Sequence, residues 1–344
     1  MQMFKHLLAP LLIAGLFAAR GHAQGFEVAK FAGEFLSTGG GSRALGMGGA
    51  YVALANDASS VYWNPAGLTR LTYPQVLFMH SSRFSGLVKY NFAAVAFPYG
   101  HDAGLGFGLV RLGVDDIPHT ELINPKLGLG ETFVDEDGNT RLNKPFVAYN
   151  FSDTEYGFFL AYGKAPSNRF SYGGAVKVLH KTFDKNSAWG IGFDFSARYY
   201  AHRHFIIAGN FQDVTTTLLS WDTGRKEIIV PTLKLGMAFP FDITLLEGAI
   251  APAVDFDVRF ENRGEASQLS VGRASVDVHA GLEYNYKDRL ALRAGSDVGF
   301  FTAGAGLKLP KLSIDYAFMS HNVLGDTHRI SVTLTIVQDR LRRK

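Results

Sequence analysis

The sequence predicts an all-β fold: a transmembrane antiparallel β-barrel of about 14 strands with an N-terminal hatch or plug segment ahead of it. Three observations predict it. From about Tyr73 to Val337, stretches of roughly ten residues alternate apolar with small or polar side chains and close on a turn, as strands tilted across a bilayer do. Past the N-terminal segment, no run approaches the roughly 18 consecutive apolar residues that a spanning helix needs. Between these two regions, Gly25–Leu71 shows no alternation at all.

The chain divides accordingly. Residues 1–23 read as a cleaved export signal: Lys5 and His6 lead, Leu7 to Ala19 is apolar, and Gly21-His22-Ala23 supplies the small-x-small cleavage pattern before Gln24. An apolar core of about 13 residues is too short to cross roughly 30 Å of hydrocarbon as a helix. Removing this segment takes Lys5 and Arg20, so 34 Lys+Arg become 32 against 31 Asp+Glu, a balance that gives nucleic acid nothing to bind. With 0 cysteines, disulfides, thiolate metal sites and a lipidated N-terminal cysteine are all excluded.

Residues 24–71 form the expected hatch. This segment carries Gly39-Gly40-Gly41-Ser42-Arg43, then the Gly- and Ala-rich Ala44–Ala55, then Asn56-Asp57 and Asn64-Pro65-Ala66-Gly67. Leu45, Met47, Tyr51, Val52, Leu54, Val61, Tyr62 and Trp63 are too apolar for a solvated tail, so burial inside a barrel too wide to fill with its own side chains is expected.

Residues 72–338 form the expected barrel, followed by a short basic tail, 339–344. Trp189, Ile191, Phe193, Phe195, Ala197 and Tyr199 alternate with Gly190, Gly192, Asp194, Ser196 and Arg198. Ile250, Pro252, Val254, Phe256 and Val258 alternate with Ala251, Ala253, Asp255, Asp257 and Arg259. A soluble sandwich also alternates, but such charges could not line its dry core unpaired. Fifteen candidate strands arise, and an even count is restored by assigning Phe146–Phe151 to a loop, since single-chain barrels pair strands evenly. The long segments Gly113–Thr154, Asp213–Glu227, Asn262–Ala274 and Ser320–Thr327 then share one side, as outer loops should.

Ser42-Arg43-Ala44-Leu45-Gly46-Met47-Gly48-Gly49-Ala50-Tyr51-Val52-Ala53, with Asn56-Asp57-Ala58-Ser59-Ser60-Val61-Tyr62-Trp63-Asn64-Pro65-Ala66-Gly67-Leu68, resembles the N-terminal signature of the PorV/PorQ family. Later stretches are similar too: His279-Ala280-Gly281-Leu282-Glu283-Tyr284, Leu292-Arg293-Ala294-Gly295, Asp315-Tyr316-Ala317-Phe318 and His328-Arg329-Ile330-Ser331. The resemblance implies a fatty-acid-transporter-like (FadL-like) barrel of the cell outer membrane, with Asn64, Pro65 and Ala66 as the hatch motif. It implies one of two roles. The first is a type IX secretion component that holds or delivers exported cargo, with secretion-system proteins as partners. The alternative is a channel for hydrophobic small molecules such as long-chain fatty acids. The ending Gln338-Asp339-Arg340-Leu341-Arg342-Arg343-Lys344 departs from the aromatic finish common in barrel precursors.

No Gly-x-Ser-x-Gly, His-Glu-x-x-His, Walker or cysteine-nucleophile pattern is present, so neither an enzyme nor a cofactor or metal site is expected. Gly46-Met47-Gly48-Gly49 lacks the strand–turn–helix context of a nucleotide loop and reads as hatch packing. His202 and His204 flank a tight turn and read as solvated. The inward charges Asp194, Arg198, Asp255, Asp257, Arg259, Asp277, His279, Glu283, Arg293, Lys308 and Asp315 carry both signs, which fits a polar network that braces the wall and pins the hatch. Glycine weakens strand pairing, so Gly104-Leu105-Gly106-Phe107-Gly108-Leu109 is the expected place for a lateral opening bordered by Leu105, Phe107 and Leu109; the other reading is that these glycines make room for the hatch. Ile117, Leu122, Ile123, Leu127, Leu129 and Phe133 make the first long loop an expected partner surface or lid.

Overall fold

A computed structural model describes residues 26–28, 33–321 and 325–343; the expected export signal lies outside them. Fourteen antiparallel strands close into a ring. They are β1 (Gln75–Arg83), β2 (Val88–Tyr99), β3 (Ala103–Leu122), β4 (Pro145–Lys164), β5 (Phe170–Phe183), β6 (Asn186–His202) and β7 (Phe205–Gln212), then β8 (Thr232–Ala238), β9 (Gly248–Arg259), β10 (Ala274–Tyr286), β11 (Leu290–Asp297), β12 (Phe300–Lys308), β13 (Leu312–Met319) and β14 (Thr327–Thr335). Each pairs with its chain neighbour, and β14 closes on β1 with Gln75 opposite Thr335. Closure removes the free edges that would otherwise leave backbone polar groups bare in lipid.

The period-2 pattern produces a two-faced wall. In β6, Trp189, Ile191, Phe193 and Phe195 are exposed on the outside while Asp194, Ser196 and Arg198 are buried inside. Phe146–Phe151 is not a loop. It is the outer part of β4, and it pairs with Ile117–Leu122 of β3 beyond a register shift at Val114/Ile117 where Asp116 has φ 59. A bulge lets one strand continue with a changed direction, so the fifteenth candidate merges with its neighbour and the count of fourteen stands. The first long loop thereby shrinks to a projection beyond Leu122 and Pro145 that carries its own hairpin, Thr132–Val134 against Thr140–Leu142.

Residues 33–71 fold inside the ring as short helical turns: α1 (Glu34–Ser37), α2 (Ser42–Gly46), α3 (Ser60–Trp63) and a 3-10 helix, Pro65–Arg70. All eight apolar hatch residues singled out above are buried. The interior has two different sectors. Against β2–β7 the hatch packs apolar groups: Tyr62 meets Trp63, Phe92 and Phe159 edge-on at centroid separations of 5.2, 6.4 and 5.9 Å. Against β8–β14 it meets mostly charges, and Arg198 of β6, which donates to Ala55 O, is a charged contact on the apolar side. Much of the interior is thus apolar, because here inward-facing residues touch protein rather than water.

Candidate functional site

The Asn64-Pro65-Ala66 motif is a joint. Asn64 is extended at φ −167, its Nδ2 donates to Val52 O (2.9 Å) and its Oδ1 accepts from Ala66 N (3.1 Å). It thus caps the 3-10 helix while tying it back to the earlier hatch loop. Pro65 occupies the first helical position, where a missing N–H costs nothing. Ser196 Oγ on β6 accepts a second bond from Ala66 N (3.0 Å). The helix lies so close to the wall that a Cβ on Gly173 would stand 2.6 Å from Ala66 N.

The inward charges are divided between wall and hatch. Arg293 binds Glu283 (2.6 Å) and Asp315 (2.7 Å) within the wall, and Asp277 pairs with Arg263. Glu283 also receives Arg43 of the hatch at 2.7 Å, and Arg259 pairs with Glu34 of α1. Asp255 Oδ2 accepts both Tyr51 N and Val52 N at 2.8 Å, and Arg198 donates to Ala55 O, so these two hold hatch backbone instead of opposite charges. Asp257 binds Lys234, with His279 at 3.5 Å. Two named charges remain: Asp194 meets Lys177 Nζ at 2.9 Å, and Lys308 pairs, among the described residues, with the exposed Asp288 in the β10–β11 turn. Lys177, Asp213, Lys234 and Arg329 escaped the sequence reading, although Lys177, Lys234 and Arg329 sit at inward positions of their strands; Arg329 donates to Thr38 O at 2.7 Å.

The expected lateral opening at Leu105, Phe107 and Leu109 has no break. Ala103–Val114 pairs without interruption with β2 on one side and β4 on the other. The neighbouring glycines face the hatch: a Cβ on Gly108 would lie 2.9 Å from Val61, and one on Gly104 2.7 Å from the Leu68 carbonyl carbon. Larger side chains at these positions would meet Val61 and Leu68 of the hatch.

A discontinuity occurs elsewhere, at the long-loop ends of β7 and β8. Asp213–Thr216 leaves the ladder, with φ 56 at Asp213 and φ 62 at Thr216. Thr217–Trp221 then rejoins β6 at Ala188–Ile191, and the chain returns through Lys226–Ile229. Val230-Pro231 interrupts the return strand, where proline cannot donate to a ladder. Beyond Thr232, which faces Arg259 of β9, the Lys226–Ile229 edge pairs in parallel with Phe26–Val28 instead of with β9. Lys177 secures the bend: its Nζ lies 2.9 Å from both Asp194 and Asp213, all three buried. Behind the bend is a small cavity of about 50 Å³ bounded by Leu36, Tyr62, Phe159, Asp213, Ile229 and Val230. A larger cavity of about 470 Å³ lies at the long-loop end, where Phe35, Phe84, Leu112 and Met319 mix with charged groups. Glu34 and Arg259 line both.

Residues 15–110 match the model of an uncharacterised protein family, UPF0164. A search of curated proteins finds no match. Solved structures share the fold over nearly their whole length. The Ralstonia pickettii toluene transporter TbuX is 12% identical with TM-score 0.57, covering 87% of this chain and 99% of its own. The monoaromatic hydrocarbon channel CymD is 13% identical with TM-score 0.57, at 88% and 98% coverage. A Pseudomonas aeruginosa FadL homologue is 12% identical with TM-score 0.53, at 86% and 98% coverage. The chain thus has the fold of FadL-type outer-membrane barrels.

Proposed function

We propose that this barrel sits in the outer membrane and conducts hydrophobic small molecules, such as long-chain fatty acids or aromatic hydrocarbons, past its hatch. One observation carries this reading: a lumen cavity, walled in part by Leu36, Tyr62, Phe159 and Ile229 and in part by Glu34, Lys177, Asp213 and Arg259, lies directly behind the place where the wall loses its ladder, between lumen and lipid. The likeness to barrels described as toluene transporters and hydrocarbon channels supports it. In this reading α1 is the movable piece, because its Glu34–Arg259 contact stands between the outer cavity and the inner one. The test uses the absence of native cysteine. Glu34→Cys with Arg259→Cys, bridged by a bifunctional methanethiosulfonate reagent long enough to replace the two side chains, should cut uptake of labelled oleate and toluene at least tenfold, and reduction should restore it. Unchanged uptake in the bridged protein overturns the route.

A second reading, a PorV/PorQ-like part in type IX secretion with exported cargo or secretion-system proteins as partners, draws on the sequence signature and on the projecting hairpin. Leu129, Val134 and Leu142 are 54–72% exposed there, at the end opposite the short turns. Exposed apolar groups clustered on one projection mark partner surfaces. Deleting the gene separates the readings: loss of secreted proteins from the medium with normal uptake selects this one, and the reverse selects the channel.

A further inference from the structure

The chain after β14 does not leave the barrel but turns back across its short-turn end. Ile336 N donates to Pro74 O (2.9 Å), Asp339–Leu341 forms one 3-10 turn, and Arg343 N donates to Thr72 O (2.8 Å). The Arg343 side chain reaches three further carbonyls: Nε to Leu71 O at 2.8 Å, Nη2 to Leu68 O at 3.2 Å and Nη1 to His101 O at 3.2 Å. Leu68 and Leu71 lie at the end of the hatch's 3-10 helix, where carbonyls run short of intrahelical donors and a cation complements the helix dipole. His101 belongs to the turn between β2 and β3. One guanidinium therefore joins the last turn of the hatch, the link into β1 and the rim of the wall, a task suited to five fixed donors.

From this geometry we propose that residues 338–343 are a latch: Arg343 clamps the hinge between hatch and barrel, and its release frees the final hatch turn at the short-turn end. The segment 71–74 is the covalent joint about which the hatch would have to move. The latch itself is lightly held. Leu341 is 39% exposed, Arg340 and Arg342 point to solvent, and a cavity of about 600 Å³ opens between the tail and Phe97, Pro98 and Gly100. Letting go of it breaks a handful of hydrogen bonds and no ladder. This inference goes beyond the proposed transport role and holds whatever the barrel carries.

The test compares purified full-length protein with Arg343→Gln, a deletion of residues 338–344, and Arg340→Gln as control, since the Arg340 side chain hydrogen-bonds Gln338 of the tail itself. Amide exchange of Leu68–Tyr73 and conductance in planar bilayers are measured on barrels that retain resistance to SDS. Arg343→Gln and the deletion should exchange about tenfold or more faster in this stretch and show openings that the parent lacks, with Arg340→Gln unchanged. Unchanged exchange and conductance in Arg343→Gln overturn the latch. So do equal effects in Arg340→Gln, and so does faster exchange without openings, which would reduce the tail to a local brace. If the deletion fails to assemble, Arg343→Gln decides alone.

Discussion

Asp255 shows how a single side chain can serve hatch docking. Its two bonds to the Tyr51 and Val52 amides place an acceptor where two buried donors would otherwise be orphaned. Bonds to a charged acceptor contribute about 1.5–3 kcal/mol each, so Asp255→Ala should weaken docking of this loop by about 3 kcal/mol or more, whereas Asp255→Asn keeps an acceptor oxygen and should cost less. Exchange at amides 51 and 52, on the order of 100-fold faster in the alanine variant, checks the first half. Lys177 poses the opposite case. Lys177→Met leaves Asp194 and Asp213 buried side by side and should destabilise the barrel by about 3–5 kcal/mol, while adding Asp194→Asn and Asp213→Asn should recover most of that loss; the temperature at which SDS resistance fails reports both. At this scale the sequence was informative about direction and silent about partner. Alternation placed Asp255 and Arg198 inward, but nothing in the spacing revealed that they would meet hatch backbone rather than each other.

Elements were legible where the period was clean and misread where backbone geometry intervened. The outer part of β4 looked like a separate strand because a bulge opposite it shifts the register, and Asp116 at φ 59 carries no mark in the pattern. The glycines of β3 were legible both as a weakness and as room for the hatch, and the pattern carried no sign of Val61 and Leu68, the hatch residues that stand against them. The interruption falls at Pro231, which cannot donate to a ladder, but Pro252 is accommodated inside β9, so proline alone does not mark the break, and its partner bend at Asp213–Thr216 had no comparable signal. Glycine roles at the element scale are testable by comparison. Gly48 sits at φ +65, and a Cβ there would stand 2.5 Å from Ser296 N and 2.7 Å from Ala280 O in the wall. Gly100, at φ +62, has open space around it. Gly100→Ala should therefore cost only the left-handed penalty, about 1–2 kcal/mol, whereas Gly48→Ala must also push the hatch loop off β10 and β11. Accelerated exchange of the 44–52 amides in Gly48→Ala, without a matching change in Gly100→Ala, is the expected result; equal effects would show that strain alone matters there.

At the scale of the whole molecule, an even strand count and loops sorted by length were enough to anticipate a closed ring around an inward segment. What the pattern could not disclose was the lumen's two-sided character, because alternation separates inside from outside without saying which strands face each other across the interior. That asymmetry makes the consequence of removing the hatch unequal. Along β8–β14 water can replace the hatch as a partner for Asp255, Glu283 and Arg259. Along β2–β7 it would instead wet Tyr90, Phe92, Val110, Phe159 and Leu179, all buried with the hatch in place. Exposing side chains of this size costs about 1.5–3 kcal/mol each. A chain lacking residues 33–71 should thus still close its ladders and insert, but lose SDS resistance about 10 °C or more below the parent. Replacing Phe92 and Phe159 with serine in that shortened chain should restore part of the difference, while the same replacements in the full chain should destabilise it. A hatchless barrel that melts with the parent would mean that the wall alone supplies the stability, and the apolar sector would then need another explanation.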